Sequence, residues 1–277
     1  MAILSVNLAT RCWSDLGIVV LERNHPMLSP NPMGSYSGLL LKPLSKAEGP
    51  RDPADDLIHC EILPWNDSGP IEPGTLAGRL NHLCAVRGIH TLLLDGPQAW
   101  KSSSNGLEHA RLSERQVNTA AKTGLPGIIK PHSYRLFTEF CLDLYDALCL
   151  RGWQRLQTRE QPGSAQQRVL VESYPRAAWK SLGLKPLPAK RRTRISDLAE
   201  AFGALRALMP FTVNRPPNHN QLQAIVGGLP GLALEERNTA GARIVGAAPR
   251  REEGLWREGF IVLPLPPTKP LDLRWLN

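Results

Sequence analysis

The apolar residues fall into short β-branched runs near the start of the chain and into helically spaced sets further on. Residues 2–7 (AILSVN) and 16–22 (LGIVVLE) predict two strands joined by a short polar turn, a hairpin. From 24 to 53 the chain is rich in Pro, Gly, Ser and Asn, interrupted by GLLLKPL, which predicts a third strand between loops. LIHCEIL at 57–63 predicts a further strand. Leu76, Leu80, Leu83 and Cys84 then recur at helical spacing over 74–86, and TLLLD follows as a strand at 91–95.

A Gly/Ser-rich loop follows Asp95. Beyond it a helix is predicted near 112–123, with Arg111, Glu114 and Arg115 on its exposed face. Over 133–150, Leu136, Phe137, Phe140, Cys141, Leu144, Ala147 and Leu148 form one apolar stripe and predict the strongest helix. The polar TREQPGSAQQ leads to the strand RVLVE at 168–172. Helices are predicted at 175–182, 195–208 and 218–229, and GFIVLP supplies a late strand at 259–264. Strands first and then strands alternating with helices describe an α/β fold with a mixed sheet. The expectation is one domain over 1–277, with loop insertions at 24–56 and 96–110 and an extended Pro-rich tail at 265–277.

Composition narrows the function classes. With 42% hydrophobic residues in 277, the chain can bury a large core. The run from Leu16 to Leu21 is among the longest apolar stretches, far short of the roughly 20 residues of a membrane span. No basic stretch followed by a long apolar one opens the chain, so a soluble, unexported protein is expected. Cysteines 12, 60, 84, 141 and 149 are odd in number and lack CxxC spacing. Small buried thiols in a reducing cytoplasm are the expectation. No GxxxxGK[ST], GxGxxG or GxSxG motif occurs.

The net charge is +8, and six positive charges lie in one acid-free stretch: Lys180, Lys185, Lys190, Arg191, Arg192 and Arg194. Such runs are commonly solvated loops. Here the density of charge points to a phosphate-binding rim for nucleic acid, with an acidic protein as the second candidate partner. Trp153 and Trp179 are near in sequence, as core residues or as base-stacking rings.

Two acids stand at strand ends: Asp95 closes TLLLDGP and Glu172 closes RVLVESYP. Each alone reads as a helix-capping or solvated acid. Together they have the setting in which strand-end carboxylates hold Mg²⁺ for phosphoryl transfer.

These blocks carry a resemblance. TLLLDGPQAW with the Arg111/Glu114/Arg115 helix, then VLVESYPRAAWKSLG, NHNQLQAIVGGL and WREGFIVLP, resemble the ordered blocks of the domain of unknown function 429 family, regarded as predicted nucleases of ribonuclease H-like fold. The resemblance runs from the first strand to about Pro264. It implies a five-stranded sheet with the first three strands antiparallel, helices on both sides, and an acidic two-metal centre at one edge.

The departures from the family pattern are informative. The first strand generally ends in Asp, where this chain has Asn7. The late helix generally carries His-Asp-x-x-Asp-Ala, where this chain reads His219, Asn220, Gln221, Leu222, Gln223, Ala224. Asn220 and Gln223 stand at i and i+3 on one helical face. An amide oxygen brings no net charge to offset dehydration of Mg²⁺ or Mn²⁺, and its NH₂ repels a cation. Of five aligned ligand positions (Asn7, Asp95, Glu172, Asn220, Gln223), only Asp95 and Glu172 keep a carboxylate, enough for one weakly held ion. His219 is expected to serve in hydrogen bonding at its helix N-terminus, with phosphate or metal contact as the other reading.

The resulting expectation is a nuclease homologue with a largely amidated site, catalytically weak or inactive, acting through nucleic-acid or protein binding. The alternatives are an active Mg²⁺- or Mn²⁺-dependent nuclease using Asp95, Glu172 and Glu114, and a structural subunit docking an acidic protein.

Overall fold

The computed structural model describes residues 1–23, 57–65, 67–159 and 167–267. In chain order the elements are β1 (Ala2–Asn7), β2 (Gly17–Arg23), β3 (Ile58–Ile62), α1 (Pro73–Arg87), β4 (Thr91–Asp95), α2 (Leu112–Val117), β5 (Lys122–Thr123), β6 (Ile129–Lys130) and α3 (Arg135–Cys149). There follow β7 (Gln154–Arg155), β8 (Val169–Ser173), α4 (Pro175–Ser181), α5 (Ile195–Leu208), β9 (Phe211–Val213), α6 (His219–Glu235), β10 (Ala242–Glu252) and β11 (Leu255–Pro264). The expected strand at GLLLKPL and the Pro-rich tail beyond Pro267 lie outside the described residues, as does the whole 24–56 insertion.

Among the described residues, nine strands form one mixed sheet in the order β10-β11-β8-β4-β1-β2-β3-β9, with β7 beside β8. β1 and β2 pair antiparallel, as do β2 and β3, while β4 and β8 continue parallel to β1. The sheet is larger than the expected five strands. β9 is only three residues long, and β10 carries Gly246 and Pro249, which weaken its strand signal. The register shifts between Ala247 and Arg250, around Pro249, and β10 lies at the edge, where a missing N–H is tolerated.

Both faces of the central strands are covered, so β1 and β4 read as continuous apolar runs and not as alternation. On one face Ile3, Leu93 and Val171 pack with Leu222, Ile225, Leu229 and Leu232 of α6. On the other, Leu4, Val6, Leu92, Leu94 and Leu170 pack with Leu76 and Leu80 of α1 and Leu144 and Leu148 of α3.

α6 outruns its prediction, continuing through Pro230 to Glu235. A proline costs about 3 kcal/mol inside a helix. Burial of Leu229, Leu232, Ala233 and Leu234 outweighs it. Gly228 brings the helix close to β1: a Cβ there would stand 2.7 Å from that of Ser5. The Ser5 hydroxyl donates to the Ala224 carbonyl at 2.7 Å.

α2 is shorter than predicted, ending at Val117. The chain then turns into the β5–β6 hairpin. The 96–110 segment has no helix or strand but is tied down along β11. Trp100 N–H donates to the Trp256 carbonyl at 3.0 Å, and Glu258 N–H donates to the Trp100 carbonyl at 2.7 Å. The Glu258 carboxylate accepts from Ser102 N (2.9 Å), Asn105 Nδ2 (2.6 Å) and Leu112 N (2.8 Å). It does so with Glu258 itself at φ 61, a conformation sparsely used by residues other than glycine. No helix of the described residues is long and apolar enough to cross a membrane.

Candidate functional site

The C-terminal ends of parallel strands are where α/β sheets place their chemistry. Here β1, β4 and β8 end side by side. Asn7 is the register partner of Asp95, and Asp95 of Ser173. The pleat therefore assigns these three to the face covered by α6 and assigns Glu172, partner of Leu94, to the α1/α3 face. Two acids in similar sequence settings thus point to opposite sides of the sheet.

Asn7 Nδ2 donates to Asp95 Oδ2 at 2.5 Å. Burial, and then the negative charge of Glu172, push the Asp95 carboxyl up to about 7 against the opposing effect of the Asn7 bond. Asp95 thus holds its proton to higher pH than an ordinary carboxyl does. Its partner is an amide, and no cationic side chain bonds to it among the described residues.

Glu172 is buried and fully engaged. Arg111 Nη1 and Nη2 donate to its two oxygens at 2.7 and 2.6 Å, and Gln98 N–H adds a third bond at 3.1 Å. Arg111 Nε also reaches Glu114 Oε1 at 3.1 Å and Thr123 Oγ1 at 3.0 Å. Glu114 in turn accepts from the Arg111 backbone N–H at 3.1 Å and from the amide and hydroxyl of Thr123. Burial raises the Glu172 carboxyl above its ordinary range and Arg111 opposes that rise. Burial likewise works against the Arg111 charge, but the two carboxylates more than restore it, so the guanidinium is held above its ordinary value.

This corrects the reading of the Arg111, Glu114 and Arg115 face as exposed. Only Arg115 is exposed, whereas Arg111 is 1% and Glu114 2% exposed. Arg111 and Glu114 enter the interior because each neutralises charge that the other, or Glu172, would leave unpaired.

The amides of α6 are bonded elsewhere. Asn220 Nδ2 donates to the Asp15 carbonyl at 2.5 Å, and Gln223 Oε1 accepts from Trp179 Nε1 at 2.9 Å. α6 reaches β2 because residue 17 is glycine: a Cβ there would overlap the Asn220 carbonyl. The helix cap is Asn218, which accepts from Gln221 N–H at 3.0 Å, and not His219. The His219 ring instead bridges the Pro188 carbonyl (3.0 Å) and Asn220 Oδ1 (3.2 Å).

These donors do not fit a divalent ion. Both Glu172 oxygens are occupied by guanidinium N–H groups, and the Asn7 NH₂ occupies Asp95 Oδ2 where a cation would sit. The described residues contain no cluster of three or more His, Cys, Asp or Glu able to hold a metal. Cys141 lies against Gly96, next to Asp95, but burial and then the Asp95 and Glu172 charges hold its thiol well above the ordinary range, away from nucleophilic thiolate.

The basic segment borders this edge. Lys180, Lys185, Lys190, Arg191, Arg192 and Arg194 are all exposed. Lys190, Arg191 and Arg192 form a 3-10 turn anchored by buried Leu187 and by the Pro188–His219 bond. Lys190 Nζ bonds Asp15 at 2.7 Å, in the 3-10 turn Trp13–Asp15 that follows β1. A turn that Asn220 also touches therefore joins the basic segment to the strand-end site. Trp153 and Trp179 are core residues, 2% and 0% exposed. Of the cysteines, Cys60, Cys84 and Cys141 are buried as expected, and Cys12 is exposed.

Several contributors had little signature in the sequence. Gln98, Thr123 and Asp15 act through hydrogen bonds that no motif announces. Arg111-x-x-Glu114 was visible as a pair, but its target, Glu172, lies 61 residues away. In comparisons with family models, curated proteins and solved structures, nothing matches this chain.

Proposed function

We propose that the protein is a ribonuclease H-like nucleic-acid-binding protein whose metal site has been replaced by an internal hydrogen-bond network, leaving it catalytically silent. The observation that carries this reading is the Asn7–Asp95 bond: the amide supplies a fixed donor where a catalytic carboxylate pair requires a cation. Three antiparallel strands, β1 to β3, followed by β4 and β8 parallel to β1, with helices on both faces, support the fold assignment. The exposed cations of residues 180–194, bordering the strand-end site, support a polyanionic ligand.

The test pairs binding with cleavage. Labelled DNA and RNA oligonucleotides are expected to bind with an affinity that falls as salt rises, and to survive prolonged incubation with Mg²⁺ or Mn²⁺. Mn²⁺-dependent cleavage abolished by Asp95→Ala would overturn the silent-site reading. Absence of binding at low salt would overturn the nucleic-acid reading.

A further inference from the structure

β1 and β3 both run antiparallel to β2, so the segments that follow them emerge at the same end of the sheet. Trp13 follows β1 and Trp65 follows β3. Their rings stack with centroids 6.0 Å apart and planes at 17°, and the Arg79 guanidinium of α1 lies over Trp13 at 4.7 Å. Trp13 is buried, while Trp65 is half-buried and lines an open cleft of about 850 Å³ with Leu63, Leu83, Val86, Arg79 and His82. Val86 is 71% exposed, a large apolar group left in water at the cleft wall.

The charges at the cleft are matched internally. Arg79 pairs with Asp67 and Arg87 with Glu61. The cleft therefore offers aromatic and apolar surface more than net charge. The unmatched charge lies on the other side of the 3-10 turn Trp13–Asp15, whose first residue stacks under Trp65 and whose last bonds Lys190. At about 2 Å of rise per residue, the two contacts are separated by roughly 4 Å along that turn. Among the described residues Arg191 and Arg192, next to Lys190, have no ion-pair partner.

We infer that this cleft is a base-stacking site for single-stranded nucleic acid, with Trp65 as the platform and the phosphate backbone passing over the 3-10 turn to Arg191 and Arg192. The inference rests on the nucleic-acid reading above and adds the strandedness and the path of the ligand. A single strand presents aromatic faces and regularly spaced anions together, the combination that a neutral aromatic cleft beside an unpaired basic turn complements. A duplex keeps its base faces stacked inside and can meet only the basic turn.

The test uses the full chain with fluorescein-labelled dT and rU 15-mers and a duplex of equal length, in salt titrations. Trp65→Ala is expected to weaken single-strand binding roughly tenfold, with duplex affinity and the salt slope unchanged. Trp65→Phe, which keeps a stacking ring, is expected to recover most of that loss. Val86→Glu alters an exposed helix position that carries no fold, and by placing a carboxylate in the cleft it is expected to weaken single-strand binding similarly. Single-strand affinity that is indifferent to all three variants, yet sensitive to charge reversal at Arg191 and Arg192, would overturn the cleft assignment and leave the basic-turn reading standing. No binding of any oligonucleotide at low salt would overturn both. An equal effect of dT and rU identifies base stacking as the shared chemistry, whereas binding of the duplex as tightly as the single strands counts against the inference.

Discussion

Two carboxylates lie near the C-terminal ends of neighbouring parallel strands, and the protein holds them in different ways. Glu172 is met by a guanidinium that bonds both its oxygens and is itself tied to Glu114 and Thr123, so charge is balanced by charge inside the fold. Asp95 is met by the amide of Asn7, which supplies one short bond and no charge. The difference is that burial can be endured by pairing or by neutralisation. Burial raises both carboxyls, but at Glu172 the charge and bonds of Arg111 oppose the rise, whereas at Asp95 only the Asn7 amide does. Arg111 bonds both oxygens of Glu172, and Asn7 bonds one oxygen of Asp95.

The largest expected effect breaks the paired side. Arg111→Ala leaves Glu172 and Glu114 buried without a cation and is expected to lose about 3–5 kcal/mol in chemical denaturation. A loss below 1 kcal/mol would show that the two acids protonate at little cost and that the two sides do not differ in kind.

On the neutralised side, Asn7→Asp sets two carboxylates within hydrogen-bond distance. It is expected to cost about 1–3 kcal/mol at pH 8, as a part-buried acceptor loses its donor. Thermal shifts with and without Mn²⁺ then sharpen the comparison: the ion is expected to raise the melting temperature of the variant and not of the parent. Equal shifts in both would mean that the amide is not what keeps cations out.

A third prediction concerns pH. With Asp95 held near 7 when folded and at 3.8 as the reference, the folded chain keeps a proton that the unfolded chain releases between about pH 4 and 7. The sign follows: stability conferred by the protonated acid is complete below pH 4, falls as pH climbs through that window, and is flat above it. Asp95→Asn, which keeps an acceptor for Asn7, is expected to match the parent at pH 4 and exceed it at pH 8. Parallel melting curves across the range would place the Asp95 proton elsewhere.

The smallest stability effect belongs to the exposed rim. Arg191→Glu with Arg192→Glu is expected to change folding stability by no more than about 0.5 kcal/mol. The slope of log affinity against log salt for single-stranded oligonucleotides should become shallower by about 1 to 2. An unchanged slope would favour an acidic protein as the partner of this segment.

Much of the frame was legible in the residues. The β1–β2 hairpin, β4 and β8 follow from short continuous apolar runs, β3 from alternation, and α1, α3 and α5 from apolar positions at helical spacing. β10 was not legible, since Gly246 and Pro249 disguise a strand whose pairing with β11 supplies its regularity. The end of α6 was hidden behind Gly228, Pro230 and Gly231, where burial against the sheet outweighs intrinsic propensity.

By itself the sequence determined that Asn7, Asn220 and Gln223 cannot ionise, that Asp95 and Glu172 can, and that one acid-free stretch concentrates six cations. Those are properties of residue type, independent of conformation. Only the tertiary structure decided that Asp95 and Glu172 sit on opposite faces of the sheet, that Arg111 and Glu114 are interior, and that the 3-10 turn Trp13–Asp15 links the aromatic cleft to the basic turn. Each of these depends on pairing between segments far apart in the chain. Strand register and long-range charge compensation set them, and local spacing encodes neither.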